Sequence, residues 1–170
     1  MPAKSASAKQ VATAYFDAIA ARDLDAMAEC WEPGSVDHLY GMADLRVPED
    51  LRRWFGNLFQ AIPDFSMSVV DMVAYGEKAA VRWSATGTFD GSVRFEGLAA
   101  TGAKVAMEGL DLLTIRDGLI RENHAYTNAT ELARQLGAMP PAGSMGERAM
   151  LGAVNARTAV VGWLKRARSG

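Results

Sequence analysis

A chain of 170 residues, 49% hydrophobic and 22% charged, is long enough to bury a real core and reads as one globular domain with a tail. Its net charge of -2 gives no basic field for nucleic acid, and no apolar run approaches the roughly 18 residues that a membrane span needs. The start, Met1–Gln10, is polar and lacks the apolar core of a secretory signal, the single cysteine, Cys30, cannot form an internal disulfide, and with only two histidines, His38 and His124, a dedicated metal centre would need carboxylates to complete it. Cytoplasmic residence is the default expectation, with neither metal nor cofactor.

Apolar residues at helical spacing (Val11, Tyr15, Ile19, then Leu24, Met27, Ala28, Trp31) predict two consecutive helical pieces over Val11–Trp31. Asp23 stands where it can cap the second, and Pro33-Gly34 is expected to end it. Ser35–Tyr40 reads as a short extended segment closed by Gly41. Pro48 then opens a helix through Leu51, Trp54, Phe55, Leu58 and Phe59, stopped by Ile62-Pro63-Asp64. From Phe65 the period becomes strand-like, with a hairpin turning at Tyr75-Gly76-Glu77 and Ala79–Thr88 as its second arm. Ser92–Phe95 is expected to be a short strand in a glycine-punctuated stretch.

The longest signal is Glu108–Asn128, two apolar runs flanking Asp117-Gly118, which predicts a long antiparallel hairpin. A two-residue loop pairs Arg116 with Leu119 and Ile115 with Ile120 and, counting outward, sets Asp111 opposite His124. A type I turn with a glycine bulge would instead leave His124 opposite Leu110. Alternation puts Ile120, Glu122, His124, Tyr126 and Asn128 on one face, and Ile120 and Tyr126 make that the expected buried face. A short helix over Ala129–Gly137, a linker at Met139–Ser144 and a last helix from Glu147 to Arg168 complete the chain. The last helix carries a stripe of Ala149, Ala153, Ala156, Val160 and Trp163, expected to pack on the body or on a second subunit.

Helices followed by long antiparallel strands indicate an α+β architecture, a curved sheet wrapped on its helices. Ala21–Ala26, Val36-Asp37-His38, Ile62-Pro63-Asp64, Val81-Arg82-Trp83 with Gly87-Thr88 and Gly91, Thr101-Gly102, Arg116-Asp117-Gly118 followed by Ile120, and Gln135-Leu136-Gly137 follow one another along the chain. Their order over Val11–Gly137 resembles the SnoaL-like polyketide cyclases of the NTF2-like superfamily. The resemblance implies an NTF2-like (cystatin-like) cone over residues 11–137, after a flexible start at 1–10 and before a linker and extra C-terminal helix at 138–170. It also implies a homodimer through the outer side of the sheet.

In the cyclases of this family an Asp after the Asp-Gly turn is the general acid/base, a position the resemblance gives here to Asn128. The related ketosteroid isomerases use a Tyr on the first helix, an Asp base on the first strand and an Asp acid on a late strand. This chain is similar at Tyr15 and Asp111 and aligns His38 with the base. The candidate catalytic residues are therefore His38, His124, Asp111 and Tyr15, with a histidine moving the proton and Tyr15 holding an oxyanion. Asn128, Tyr126, Trp54, Phe59, Trp83 and Met107 are the candidate ligand-binding residues, an aromatic and methionine wall suited to a flat apolar molecule. The expected function is a cofactor-independent cyclase or isomerase acting on a small hydrophobic carbonyl compound. The alternative is a non-catalytic small-molecule-binding or dimerisation module, which Asn128 at the acid position favours.

Overall fold

Helix α1 (Ala8–Ala21) starts at a capping box, in which Ser7 accepts from the Gln10 amide and Gln10 reaches back to the Ser7 N–H, so two donors at the helix start are satisfied locally. Arg22, in the left-handed region, ends it, and Asp23 caps α2 (Leu24–Glu29) by accepting from the amides of Asp25 and Ala26. Both predicted helical pieces and the Asp23 cap are present. The computed structural model describes residues 6–168, with side chains through residue 161. Residues 1–5 of the expected flexible start, and the Trp163 side chain of the expected stripe, lie outside it.

Pro33-Gly34 do not end α2, which stops at Glu29; both lie inside strand β1 (Trp31–Leu39). Trp31 sits opposite Ile120 and Val36 opposite Glu122, so residues 32–35 bulge out of the ladder, which is where a proline without an N–H is tolerated. There follow β2 (Ala43–Arg46), α3 (Glu49–Ala61), β3 (Ser66–Tyr75), β4 (Lys78–Phe89), β5 (Ala103–Arg116), β6 (Leu119–Thr127), α4 (Ala129–Gln135) and α5 (Met145–Arg168). The expected strand at Ser92–Phe95 is only a single bridge between Phe95 and Leu98.

The six strands form one sheet in the order β2-β1-β6-β5-β4-β3, antiparallel except where β1 meets β6. Register breaks in β1, β3 and β6 bend and twist their strands, curving the sheet around its helices as the sequence pattern led one to expect. Ala12, Tyr15, Phe16 and Ile19 of α1 and Leu51, Phe55 and Leu58 of α3 pack with the inward strand residues Val81, Leu113 and Ile120. Each such large apolar side chain contributes roughly 1.5–3 kcal/mol by leaving water.

The β5–β6 hairpin decides what the cone contains. Asp117 and Gly118 take positive φ of 52° and 80°, the two-residue turn that Asp-Gly favours, and Arg116 opposes Leu119 and Ile115 opposes Ile120 as expected. Thr114 then opposes Glu122, so Arg121 is one residue more than β5 can match. Asp111 lands opposite Ala125 and His124 opposite Leu112, a register that neither turn type had suggested. A one-residue slip moves every later side chain to the other face. Ile120 points inward as expected, but beyond the bulge Asn123 and Ala125 are buried, while Glu122, His124 and Tyr126 take the outer face. The side chain of Arg121 is tied to Glu32 of β1 and to Asp117 at the turn, which holds the extra residue in place.

Helix α5 is exposed along its described length apart from the half-buried Glu147, and Ala149, Ala153, Ala156 and Val160 are among the exposed residues, so the body does not cover its stripe. Glu147, which accepts from Arg134 at 2.8 Å and from the Gly143 amide at 2.6 Å, anchors its start. Among the described residues no helix is long and apolar enough to cross a membrane.

Candidate active site

Four polar side chains meet inside the cone: Tyr15 from α1, Asp37 from β1, Asp111 from β5 and Asn123 from β6, none more than 5% exposed. The Asn123 amide donates to Asp37 Oδ1 at 2.9 Å and to Asp111 Oδ2 at 2.7 Å, so one NH2 group bridges two carboxyl groups. The Tyr15 hydroxyl donates to Asp37 Oδ2 at 3.2 Å, and the Trp83 indole donates to Asp111 Oδ1 at 2.7 Å. The chain of contacts is therefore Tyr15, Asp37, Asn123, Asp111, Trp83. Trp31 packs edge-on against Tyr15 at a ring separation of 5.6 Å.

No cation neutralises this pair among the described residues. Burial first, and the Asp111 charge second, push Asp37 from 3.8 up to about 8, against the lowering effect of Asn123 and Tyr15. Asp111 is likewise raised by burial, with Trp83 and Asn123 opposing, and Tyr15 is raised by burial and by both carboxylates. Two carboxyl groups held this close in a dry interior cannot both ionise cheaply, so the pair retains a proton at neutral pH.

Trp83 has a second role as a wall. It lines an apolar cavity of about 60 Å³ together with Leu39, Trp54, Phe55, Met67 and Met107. Gly109 lies directly opposite Trp83 in the ladder, and a Cβ there would overlap the indole. The absent side chain is what lets Trp83 lie across β5 and reach Asp111.

Of the predicted catalytic residues, Tyr15 and Asp111 join this network, while His38 and His124 do not. Alternation along β1 turns Asp37 and Leu39 inward and His38 and Tyr40 outward. On that outer face His38 and His124 stack at 5.2 Å, and Tyr40 stacks on His124 at 5.8 Å and on Tyr126 at 4.7 Å. His38 Nδ1 hydrogen-bonds Asp44 at 2.8 Å and His124 Nδ1 the Tyr40 hydroxyl at 2.9 Å. Asn128 lies past the end of β6, exposed, and its side-chain oxygen caps α4 by accepting from the Glu131 amide at 3.0 Å. Of the predicted ligand wall, Trp54, Trp83 and Met107 line the cavity; Phe59 packs on Phe55 and Phe65 instead, and Tyr126 is 50% exposed. Among the described residues no group of three His, Cys, Asp or Glu side chains is placed to hold a metal ion.

Asp37 and Asn123 were missed. Asp37 carried a usable signal, sharing strand parity with the apolar Leu39. Asn123 carried none, because its inward direction depends on the bulge at Arg121.

A family model described as SnoaL-like polyketide cyclase matches residues 9–136. The chain belongs to the SnoaL-like polyketide cyclase family. Among solved structures, IdmH from Streptomyces antibioticus, a candidate polyketide cyclase, is 28% identical, with 76% of this chain and 98% of that one covered and a TM-score of 0.61. TsrD from Streptomyces laurentii is 25% identical over 76% and 94%, with a TM-score of 0.65. AclR from Streptomyces galilaeus, a candidate hydroxylase, shares the fold at 21% identity, a TM-score of 0.69 and coverage of 96% and 97%. The AclR match is long enough to take in most of α5 as well as the cone. No curated protein matches the chain.

Proposed function

We propose that this SnoaL-like protein moves a proton at the carbon beside a carbonyl of a small, hydrophobic substrate, a cofactor-independent cyclisation or isomerisation through an enol. The observation that carries this reading is the buried Asp37–Asp111 pair bridged by Asn123 and joined through Trp83 to an apolar cavity. Paired carboxyl groups that share a proton supply an acid and a base in one site. The ionised member takes the α-proton; the protonated member, with the Tyr15 hydroxyl, donates hydrogen bonds to the enolate oxygen. Returning the proton to carbon restores the pair. Tyr15, an Asp on the first strand and an Asp on a late strand is also the isomerase set, with Asp37 in the place first given to His38.

The test is deuterium uptake at the methyl carbon of aromatic methyl ketones such as 2-acetylnaphthalene in D2O, followed by proton NMR. Asp37→Asn and Tyr15→Phe should each lose on the order of 10²–10⁴-fold in exchange rate, while His38→Ala and His124→Ala stay within about twofold of wild type. Equal losses in the histidine variants would return the chemistry to the outer face.

One observation favours a second reading, a small-molecule-binding module. The acid pair is sealed, with Asp37 1% and Asp111 5% exposed. Saturable ketone binding with no exchange above the buffer rate would select it. For the outer face, where Tyr40, Val73, Leu110, Leu112 and Tyr126 stand exposed, the proposed occupant is a second copy of this chain. A monomeric mass by light scattering at micromolar concentration would refute that.

A further inference from the structure

A second hollow, of about 180 Å³, adjoins the inner cavity and is bounded by Glu96, Leu98, Ala133 and Leu136. Met42, Phe95 and Leu132 line both. These three side chains are thus the partition between an inner and an outer space, and Phe95, 4% exposed, comes from the loop that joins β4 to β5.

The ends of that loop are pinned by backbone bonds, Gly91 to the Ala61 carbonyl at 3.0 Å and Thr101 and Gly102 to the Phe89 carbonyl at 3.1 and 2.8 Å. Between them Phe95 and Leu98 exchange backbone bonds only with each other, around a turn in which Glu96 and Gly97 have positive φ. The tip is fastened to the body by side chains. The Phe95 ring meets Trp54 at 5.3 Å, Val93 and Leu98 pack at the margin of the core, and the Glu96 carboxylate accepts from the Trp54 indole at 2.9 Å. Lifting it breaks no ladder bond.

We infer that Phe95 is a plug between the two hollows and that withdrawing its ring joins them into one ligand site. The probe that suits this site follows from the wall. Thr127 is the one inner-cavity residue that is neither aliphatic, aromatic nor methionine, and both indole N–H groups there are already committed, Trp54 to Glu96 and Trp83 to Asp111. What faces the cavity is hydrocarbon and ring surface, which rejects charge and accepts a planar apolar body. Neither space alone takes fused rings, since a protein cavity holding one benzene has about 150 Å³, more than the inner space and only a little less than the outer one; with the Phe95 ring withdrawn they join into room for several rings. Trp83 stands in the wall of the inner cavity, and its indole N–H donates to Asp111. Only the expectation that the ligand's carbonyl points that way rests on the acid/base reading.

The experiment uses the full chain and 2-acetylnaphthalene, with binding read by tryptophan quenching in a stopped-flow instrument. In wild type the observed rate should level off as ketone concentration rises, because withdrawal of the plug precedes binding. Phe95→Ala should bind at least tenfold faster, without levelling off. Glu96→Ala, an exposed change that releases the latch and leaves the core intact, should bind severalfold faster. Ala133→Trp, which fills the outer hollow alone, should weaken binding tenfold or more. Wild-type rates in both Phe95→Ala and Glu96→Ala, unchanged affinity in Ala133→Trp, or no saturable binding by Phe95→Ala would each overturn the inference. None of these readings involves turnover, so a chain that gates ketone but exchanges no deuterium would sink the acid/base proposal and leave this one standing.

Discussion

Replacing Asp37 by Asn should make the protein more stable at alkaline pH, although it removes a buried residue that accepts two hydrogen bonds. Asp37 is 1% exposed, and burial with the Asp111 charge raises it from 3.8 to about 8. A shift of about four units at roughly 1.4 kcal/mol each is on the order of 5 kcal/mol. Between those two values the folded chain holds a proton that the unfolded chain has released, so stability falls as pH rises. The contribution is fully present below about pH 4 and is lost by the time pH passes about 8. The asparagine side chain is neutral throughout and keeps the shape: its oxygen still accepts from Asn123, and its NH2 can donate to Tyr15. Urea unfolding of wild type and Asp37→Asn at pH 5 through 9 isolates the effect, provided the m-values match. The wild-type curve should drop by up to about 1.4 kcal/mol per pH unit relative to the variant, and at pH 9 the variant should be the more stable of the two. Parallel curves, or a carbon-13 signal of Asp37 titrating near pH 4, would refute the premise that the pair retains a proton.

Three further outcomes follow from the same contacts. Trp83→Phe keeps a ring on the cavity wall but removes the donor to Asp111; a hydrogen bond to a charged group is worth about 1.5–3 kcal/mol, so the Asp111 carbon-13 titration should move upward. Gly109→Ala should cost about 1–3 kcal/mol through overpacking and change the near-UV circular dichroism of Trp83, whereas an unchanged spectrum would mean that the indole does not need the missing Cβ. Asn128→Ala should cost about 1 kcal/mol through loss of the α4 cap and leave ketone exchange at the wild-type rate; a loss of 10²-fold or more would restore Asn128 to the acid position.

The parts of the fold that depend on local rules were legible. The Asp23 cap, the Asp117-Gly118 turn and the switch from helical to strand periodicity each follow from the chemistry of a few neighbouring residues, and each is found where expected. What could not be read was parity after an insertion. One extra residue at Arg121 leaves every residue type in β6 looking as it did and reverses which of them see the interior. That reversal fell on the site, because His124 and Asn123 are adjacent and both polar, and the apolar pattern misleads: Ile120 and Tyr126 share parity with His124, yet Tyr126 is exposed and Ala125 buried. The β1 bulge acts in the same way on Asp37 and His38, but there Leu39 marks the inward face.

The two bulges belong together, because β1 and β6 are parallel neighbours and their inward residues must coincide for a site to exist. Asp37 opposes Asn123 and His38 opposes His124 in the same ladder, so one register sorts the polar residues into an inner acid–amide pair and an outer imidazole stack. Arg121, bound to Glu32 inside the β1 bulge and to Asp117 at the hairpin turn, joins the two irregularities. Deleting residue 121 should therefore leave the faces as they are, because Ile120 inward, Glu122 outward and Asn123 inward is the plain alternation of a strand that has lost its extra residue. The deletion removes two ion pairs and should still unfold cooperatively with Asp37 titrating high, and Arg121→Ala, which keeps the bulge, should fold and cost about 1 kcal/mol. A deletion variant that loses cooperative unfolding, or in which Asp37 titrates near pH 4, would show that the bulge itself, and not the alternation on either side of it, holds Asn123 in the core.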